Sequence, residues 1–477
     1  MSVRNSSAAY LERLRGGDSL SFGEQGSMIL RLSIPAILAQ FSNIVMQYID
    51  AGMVGRLGAN DSASIGLVAS TTWLFYGLTY AAGTGFTVRI AHRIGAGDER
   101  SARNIVRTGL ICVTALSVLL MALGAAISAF LPTWLGGEQA IRHGASRYFL
   151  IFALSLPFVQ LNSTVVGMLQ CSGNMKLPGM MEIIMCVLDV IFNFIFIFPT
   201  QNYNIFGTQV TLWGAGLGVT GAALGTALSE IVVSVFLLWY LLFRSPTLRL
   251  RRGEKTVFSK DELVTTVKIA WPVALERIIT GTAYIAFTRI VSPLGTIAIA
   301  ANSFSITAES LCYMPGYGIG SASTTVIGQA LGAKRYDMTR RLGRMSVWMG
   351  VIFMSVSGIL MYMFAPTLIG FLSPDESIRA LGAQILRIEA FAEPMYAASI
   401  VATGVFRGAG DTKVPSGLSF VSMWLIRIPL AYALSLSFGL PGVWTAMCIE
   451  LCIRGVLFIL LLETRFRRRA DRGLYTV

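Results

Sequence analysis

The chain has 477 residues, of which 54% are hydrophobic and 13% charged, with a mean hydropathy of +0.65. A soluble globular protein carries about 25% charged residues, so this composition excludes a soluble enzyme and indicates a polytopic membrane protein. The net charge of +13 does not indicate nucleic-acid binding, because the basic residues sit in short segments at alternate ends of apolar spans.

Residues 1–27 are polar, with Arg4, Arg13, Arg15, Asp18 and Glu24, and lack the early apolar run of a cleavable signal. Twelve apolar segments follow, each able to form a spanning helix of roughly 20 residues. They cover about 30–56, 63–88, 108–131, 148–171, 180–199, 215–242, 269–292, 299–326, 345–372, 388–407, 416–437 and 442–462. Loops 89–107, 244–262 and 333–344 and the tail 463–472 hold most of the Arg and Lys, whereas 199–214 has no charge. Both termini and the middle loop are therefore expected to be cytoplasmic. The expected organisation is a cytoplasmic segment 1–27, an N-lobe 28–243, an interlobe linker 244–268, a C-lobe 269–462 and a basic tail 463–477.

The two halves are copies. A shift of 237 residues aligns 35–178 with 272–415 without a gap, pairing Pro35 with Pro272, Gly95 with Gly332, Tyr80 with Tyr317, Pro157 with Pro394 and Gly173 with Gly410. Glycines and prolines held in one register mark fixed backbone turns, so the repeat is structural. Six helices per half make the repeats parallel, and two such lobes enclose a central cleft that can open to either side, as in transporters. A residue found in one half only is more specialised than one found in both. Asp50 pairs with Phe287, Asp189 with Ile426 and Asn193 with Leu430, while Gln40, Asn43 and Gln47 pair with Arg277, Thr280 and Tyr284.

Gln40, Asn43, Gln47 and Asp50 are spaced to form one stripe on the first spanning helix. An aspartate inside a spanning helix costs about 2.5–3.5 kcal/mol on the insertion scale, which makes the stripe a functional-site candidate rather than only a helix–helix contact. On the fifth span Asp189 and Asn193 are four apart and share a face. With Asp50 they offer hard oxygen ligands suited to Na+ or a proton. In the C-terminal half acids and bases are mixed. Glu450 and Arg454 are placed for an intrahelical ion pair. Glu276 and Glu309, with Tyr284, are candidates for a substrate cavity. Glu389, Glu393 and Glu230 are equally consistent with structural pairing. Tyr76 and Tyr80 occur in both halves, which favours packing roles.

Other motifs fail on context. GLGVTG at 216–221 opens a spanning helix instead of following a strand, and a Walker loop, an HExxH and a GxSxG elbow are all absent from the sequence. The six cysteines have no CxxC spacing and read as small hydrophobes. Neither an enzyme nor a resident cofactor is indicated.

At this point the sequence resembles the multidrug and toxic compound extrusion (MATE) family. The resemblance rests on Pro35, Asp50, Gly55 and Gly58 of the first span, the loops GAGDERSAR and GAKRYDMTR, the turns CSGNMKLP and RGAGDTKVP, and LDVIFNFIFIF followed by GVTGAALGTALS. It implies an all-α protein of twelve transmembrane helices in two lobes, exporting organic, cationic or amphipathic compounds in exchange for Na+ or H+. By position it assigns the N-lobe cation site to Asp50, Asp189, Asn193 and Thr226, with Na+ possible at the first three. The fifth span departs from some members in carrying Asp before Asn, which leaves the ion open. The expected partners are small organic substrates and the lipid bilayer, for a monomer. The alternatives are a lipid-linked oligosaccharide flippase of the same superfamily, kept in view by Arg277, Arg289 and Arg427, and a passive channel or receptor.

Overall fold

The computed structural model describes residues 7–472 except 206–207, 252 and 374. The N-terminal half begins with a short helix α1 (Ser7–Gly16), followed by α2 (Phe22–Gly55), α3 (Ala59–Gly95) and α4 (Glu99–Ile127). A single turn α5 (Leu131–Trp134) leads to α6 (Gln139–Cys171) and α7 (Lys176–Ile197). An antiparallel hairpin, β1 (Pro199–Ile205) and β2 (Thr208–Ala215), joins α7 to α8 (Val219–Trp239). The C-terminal half contains α9 (Lys260–Val291), α10 (Thr296–Gly332) and α11 (Tyr336–Leu372). Its remainder comprises α12 (Glu376–Glu389), α13 (Glu393–Gly408), α14 (Lys413–Phe420) and α15 (Ile428–Arg472).

Among the described residues, seven helical stretches are long and apolar enough to cross a membrane. One of these, Lys413–Arg465, bends at Gly439 (φ 59°, ψ −139°) and so supplies two spans. The more polar α3, α9, α10 and the α12–α13 pair complete the twelve-span, two-lobed, all-α fold. The tenth span is longer than its apolar run: α12 starts at Glu376, and its polar residues, Arg379 and Arg387 among them, hide it from a hydropathy reading. The chain then breaks between Glu389 and Glu393, with Pro394 in the first turn of α13. Pro157, its repeat partner, lies inside the unbroken α6.

Local sequence explains the helix starts. Ser21 accepts a hydrogen bond from the Glu24 N–H at 3.3 Å, and Glu24 accepts one from the Ser21 N–H at 2.8 Å, a reciprocal cap that begins α2. Asp98 caps α4 by accepting from the Ser101 N–H at 3.0 Å. The repeat-paired glycines Gly173 and Gly410 both have left-handed backbones, with φ of 94° and 75°. At a third repeated turn Gly97 (φ 75°) is matched by Lys334 (φ 58°), the one non-glycine residue with positive φ among those described.

The lobes meet at the end of the molecule that carries the basic loops. There the His92 Nε2–H of α3 donates to the Gly408 carbonyl at 2.8 Å, and the Gln329 amide of α10 donates to the Cys171 carbonyl at 2.8 Å. Arg89 donates to Glu262 at 3.0 Å, and Arg93 pairs with the same carboxylate. Helix α1, in the segment read from sequence as merely polar, buries Tyr10, Leu11 and Leu14 in one core with α10, α11 and α13. Towards the hairpin end Trp73 of α3 is 65% and Tyr284 of α9 46% exposed.

A candidate cation site in the N-terminal lobe

Helices α2, α7 and α8 pack together and bring four polar side chains to one place. Asp189 and Asn193, one turn apart on α7, are 0% and 1% exposed. The Asn193 amide Nδ2 donates to Asp189 Oδ2 at 2.9 Å and to Asp50 Oδ1 of α2 at 2.8 Å. On α8, the Ser229 hydroxyl donates to Asp189 Oδ1 at 3.4 Å, and Thr226 lies within hydrogen-bonding reach of the same carboxylate. The approach of α8 depends on Gly225, where a Cβ would come within 2.9 Å of the Asn193 backbone nitrogen.

The chemistry of this group follows from what it lacks. Among the described residues neither Asp50 nor Asp189 has an Arg or Lys within the 4.0 Å ion-pairing distance. Two carboxylates sharing one amide in a low-dielectric interior cannot both stay ionised and unpaired, so they require a shared proton or a bound cation. Asn193 Oδ1 is buried with no hydrogen-bond partner among the described residues. A buried unpaired carbonyl oxygen beside two carboxylates and two hydroxyls is an all-oxygen donor set, which fits Na+ as cargo and a proton equally.

The rest of the polar stripe divides. Asn43 is half-buried and hydrogen-bonds Glu182, whereas Gln40 is half-buried and Gln47 exposed without a described role at the site. Glu182 was not singled out from sequence, although it lies seven residues before Asp189 on the same face of α7. Glu230 accepts from the Asn162 amide at 2.9 Å. Asp50, Glu182, Asp189 and Glu230 thus give the N-lobe interior four acids, none of which has a basic partner among the described residues.

The C-lobe is arranged differently. Glu309 and Tyr284 line one cleft with Tyr313, Tyr396, Met423 and Arg427. Glu276 lies apart from them, ion-paired with Arg407 at 3.1 Å. Glu450 bridges Arg427 at 2.6 Å and Arg454 at 3.2 Å, the second being the intrahelical pair expected from spacing. Glu389 and Glu393 flank the break in the tenth span, both buried; Glu393 lies beside the Cys312 thiol, and Glu389 has no hydrogen-bond partner among the described residues. Tyr76 packs on Phe152 with ring centroids 5.2 Å apart, but Tyr80 departs from its packing role and lies beneath two guanidinium groups.

Two parallel six-helix lobes that meet at one end around a cleft have the architecture of an alternating-access membrane transporter. The MatE family model matches residues 35–195 and 272–433, and the chain belongs to that family of membrane transporters. The two matches start at the shift found between the halves. The chain is 24% identical to "Probable multidrug resistance protein NorM" of Thermotoga maritima, over 93% of each chain. Among solved structures it is similar to a MATE protein in complex with MaL6, at 20% identity and a TM-score of 0.87, covering 96% of this chain and 99% of the other. It is also similar to the outward-facing conformation of a multidrug resistance MATE family transporter, at 21% identity and a TM-score of 0.86, covering 96% and 98%.

Proposed function

We propose that the protein exports organic, cationic or amphipathic compounds from the cell in exchange for an inward-moving Na+ or H+. The observation that carries this reading is the Asn193 amide bridging Asp50 and Asp189, both without a basic partner. A cation or proton arriving from outside relieves the repulsion there, and Asn193 can turn its free carbonyl to a metal ion. Asp50 lies on the same helix as Pro35 and as the residues that join α2 to the C-lobe core, Met28, Ile29 and Leu32. Loading therefore changes the packing of the helix that links the two lobes, and substrate and ion need only prefer different lobe arrangements. The multidrug resistance names of relatives spanning nearly the whole chain support the same substrate class.

In this reading the end carrying the basic loops is cytoplasmic, as the positive-inside rule requires, and the closed seam there makes the structure outward-open. Thr226 and Ser229 complete the ion's ligands, and the aromatic wall around Tyr284 and Glu309 receives the substrate. The flippase alternative needs positive charge for a pyrophosphate: Arg427 is taken up by Glu450, whereas Arg277 has no acidic partner among the described residues, so a flippase assay with labelled lipid carriers separates that reading from export. The test is drug accumulation in proteoliposomes with Na+ and pH gradients applied separately. Asp50→Asn is expected to abolish accumulation driven by whichever gradient works. Full export by that variant against a gradient would refute the assignment.

A further inference from the structure

Where the interlobe seam ends and the cleft begins, one cation is left uncompensated. Tyr80 of α3 is 39% exposed, and two C-lobe guanidinium groups lie over its ring, Arg277 of α9 at 4.8 Å and Arg407 of α13 at 5.9 Å from the centroid. Arg407 is neutralised. Its Nη2 donates to Glu276 at 3.1 and 3.3 Å, and the Ser416 hydroxyl donates to the same carboxylate at 3.5 Å. Arg277 is not. Among the described residues it has neither a carboxylate within ion-pairing distance nor any hydrogen bond, and its Nε is buried without a partner. Its terminal nitrogens are neither bonded nor fully buried, so they open to the space above Tyr80.

Arg277 lies at the α3–α9 contact, next to the C-lobe cleft, whose lining residue Tyr313 packs on Tyr317 at 6.1 Å between ring centroids. Gly77 gives Arg277 room, since a Cβ there would come within 3.0 Å of Arg277 Cβ. Towards the hairpin end from this contact Trp73 of α3 and Tyr284 of α9 are exposed, and Gly281 of α9 has open space beside it. Tyr317 of α10, 37% exposed, adds a third half-open ring to the same wall. Arg277 also passes the test of specialisation, because the first repeat has Gln40 in its place.

A guanidinium stacked on an aromatic face keeps its edge N–H groups in one plane, free to bind a carboxylate or phosphate in bidentate fashion. A half-buried cation without a counter-ion carries a desolvation cost that such an anion would offset. The aromatic surroundings favour a ring system as the anion's carrier. We propose that Arg277 and Tyr80 form an anion-reading subsite next to the cleft, which takes the carboxylate or phosphate of an aromatic substrate. The subsite deepens the exporter reading and rests on it only for the route by which substrate reaches the cleft. It assigns to Arg277 the negative group of any zwitterionic aromatic substrate that reaches the cleft.

The experiment uses two dyes with one xanthylium core, a rhodamine free acid and its methyl ester, which differ in the carboxylate alone. Binding to the purified full-length protein is read by fluorescence anisotropy. The wild type is expected to bind the acid about tenfold more tightly than the ester, as a charge-assisted hydrogen-bonded pair provides. Arg277→Gln is expected to lose that preference while the ester's affinity stays within about twofold, and Arg277→Lys to recover part of it, since charge is restored without the planar fork. Equal affinities for the two dyes in the wild type would overturn the proposal, as would an equal fall for both in Arg277→Gln, which marks a packing residue. Export of the ester by wild-type proteoliposomes under an ion gradient tests the exporter reading separately. Failure there counts against export, while the acid–ester difference in binding still decides the subsite.

Discussion

Asn193 holds the candidate cation site together through a single amide, and Gly225 keeps α8 close enough for the hydroxyls to join it. Gly225→Ala is expected to push α8 away from α7, at an overpacking cost of about 1–3 kcal/mol. A lower Tm and a weaker shift of that Tm by Na+ or by pH, measured in detergent, would report it. Lys334 is the opposite case. It occupies a left-handed turn that its repeat partner fills with Gly97, a conformation costing a side-chain-bearing residue about 1–2 kcal/mol. Lys334→Gly is therefore expected to raise Tm and to leave transport unchanged, with part of the gain offset by glycine's greater unfolded-state freedom. The four-residue spacing of Asp189 and Asn193 was legible in sequence because it is a property of one helix. Glu182 carried an equally readable signal, seven residues before Asp189, but its partner Asn43 lies on another helix.

At the scale of elements, α1 differs most from its reading as a polar tail. Of its ten residues, Tyr10, Leu11 and Leu14 are buried, and they join a core made largely by the other lobe. Arg13 donates to Glu24 at 2.5 Å and ties α1 to the start of α2. That ion pair and the Ser21 N–H hold the Glu24 carboxyl down at about 2. Leu14→Ala removes a fully buried side chain and is expected to cost about 2–5 kcal/mol, seen as a fall in Tm and as a looser seam in distances between labels on the two lobes. Three apolar residues in a ten-residue helix are too few for a hydropathy scan to register. Their burial depends on a surface that α10 and α11 provide from more than 300 residues downstream, as the Arg335 contact to the Asp18 carbonyl, 317 residues apart, illustrates.

For the whole molecule the decisive contact is the clasp of Arg89 and Arg93 on Glu262, which joins α3 to the start of α9. Burial pushes the Glu262 carboxyl up, but the two guanidinium groups outweigh it and hold the group below its ordinary value. A depressed carboxylate contributes its stability above the unfolded value of about 4.3 and loses it as the pH falls through the folded value. The clasp's own contribution is therefore expected to be constant between about pH 5 and 8 and to weaken only in stronger acid, whereas the seam's His92, whose pKa burial pushes down to about 4, costs the closed end stability as the pH falls below about 6.5. Glu262→Gln should loosen the seam by up to about 1.5–3 kcal/mol, less the screening of a carboxylate still partly open to solvent. Electron-spin distance measurements between labels on the basic ends of α3 and α9 would show a broader, longer distribution in the variant at neutral pH. An unchanged distribution would mean that the His92 and Gln329 bonds hold the seam without the clasp.

Composition, periodicity and the internal repeat by themselves determined that this chain is a twelve-span, two-lobed membrane protein whose first half carries acids, Asp50 and Asp189, that the second half does not repeat. Each of those properties is local to one helix, or is copied along the chain at a constant shift, and so can be read without knowing which helices touch. The partnerships were decided only by the tertiary structure. Asn193 reaches Asp50 across 143 residues, Glu276 is neutralised by Arg407 across 131, and Tyr80 is covered by the opposite lobe. Such pairs depend on the rotation of each helix about its axis and on the depth at which two lobes meet. Those quantities are set by packing of whole surfaces, and a single sequence holds no local record of them.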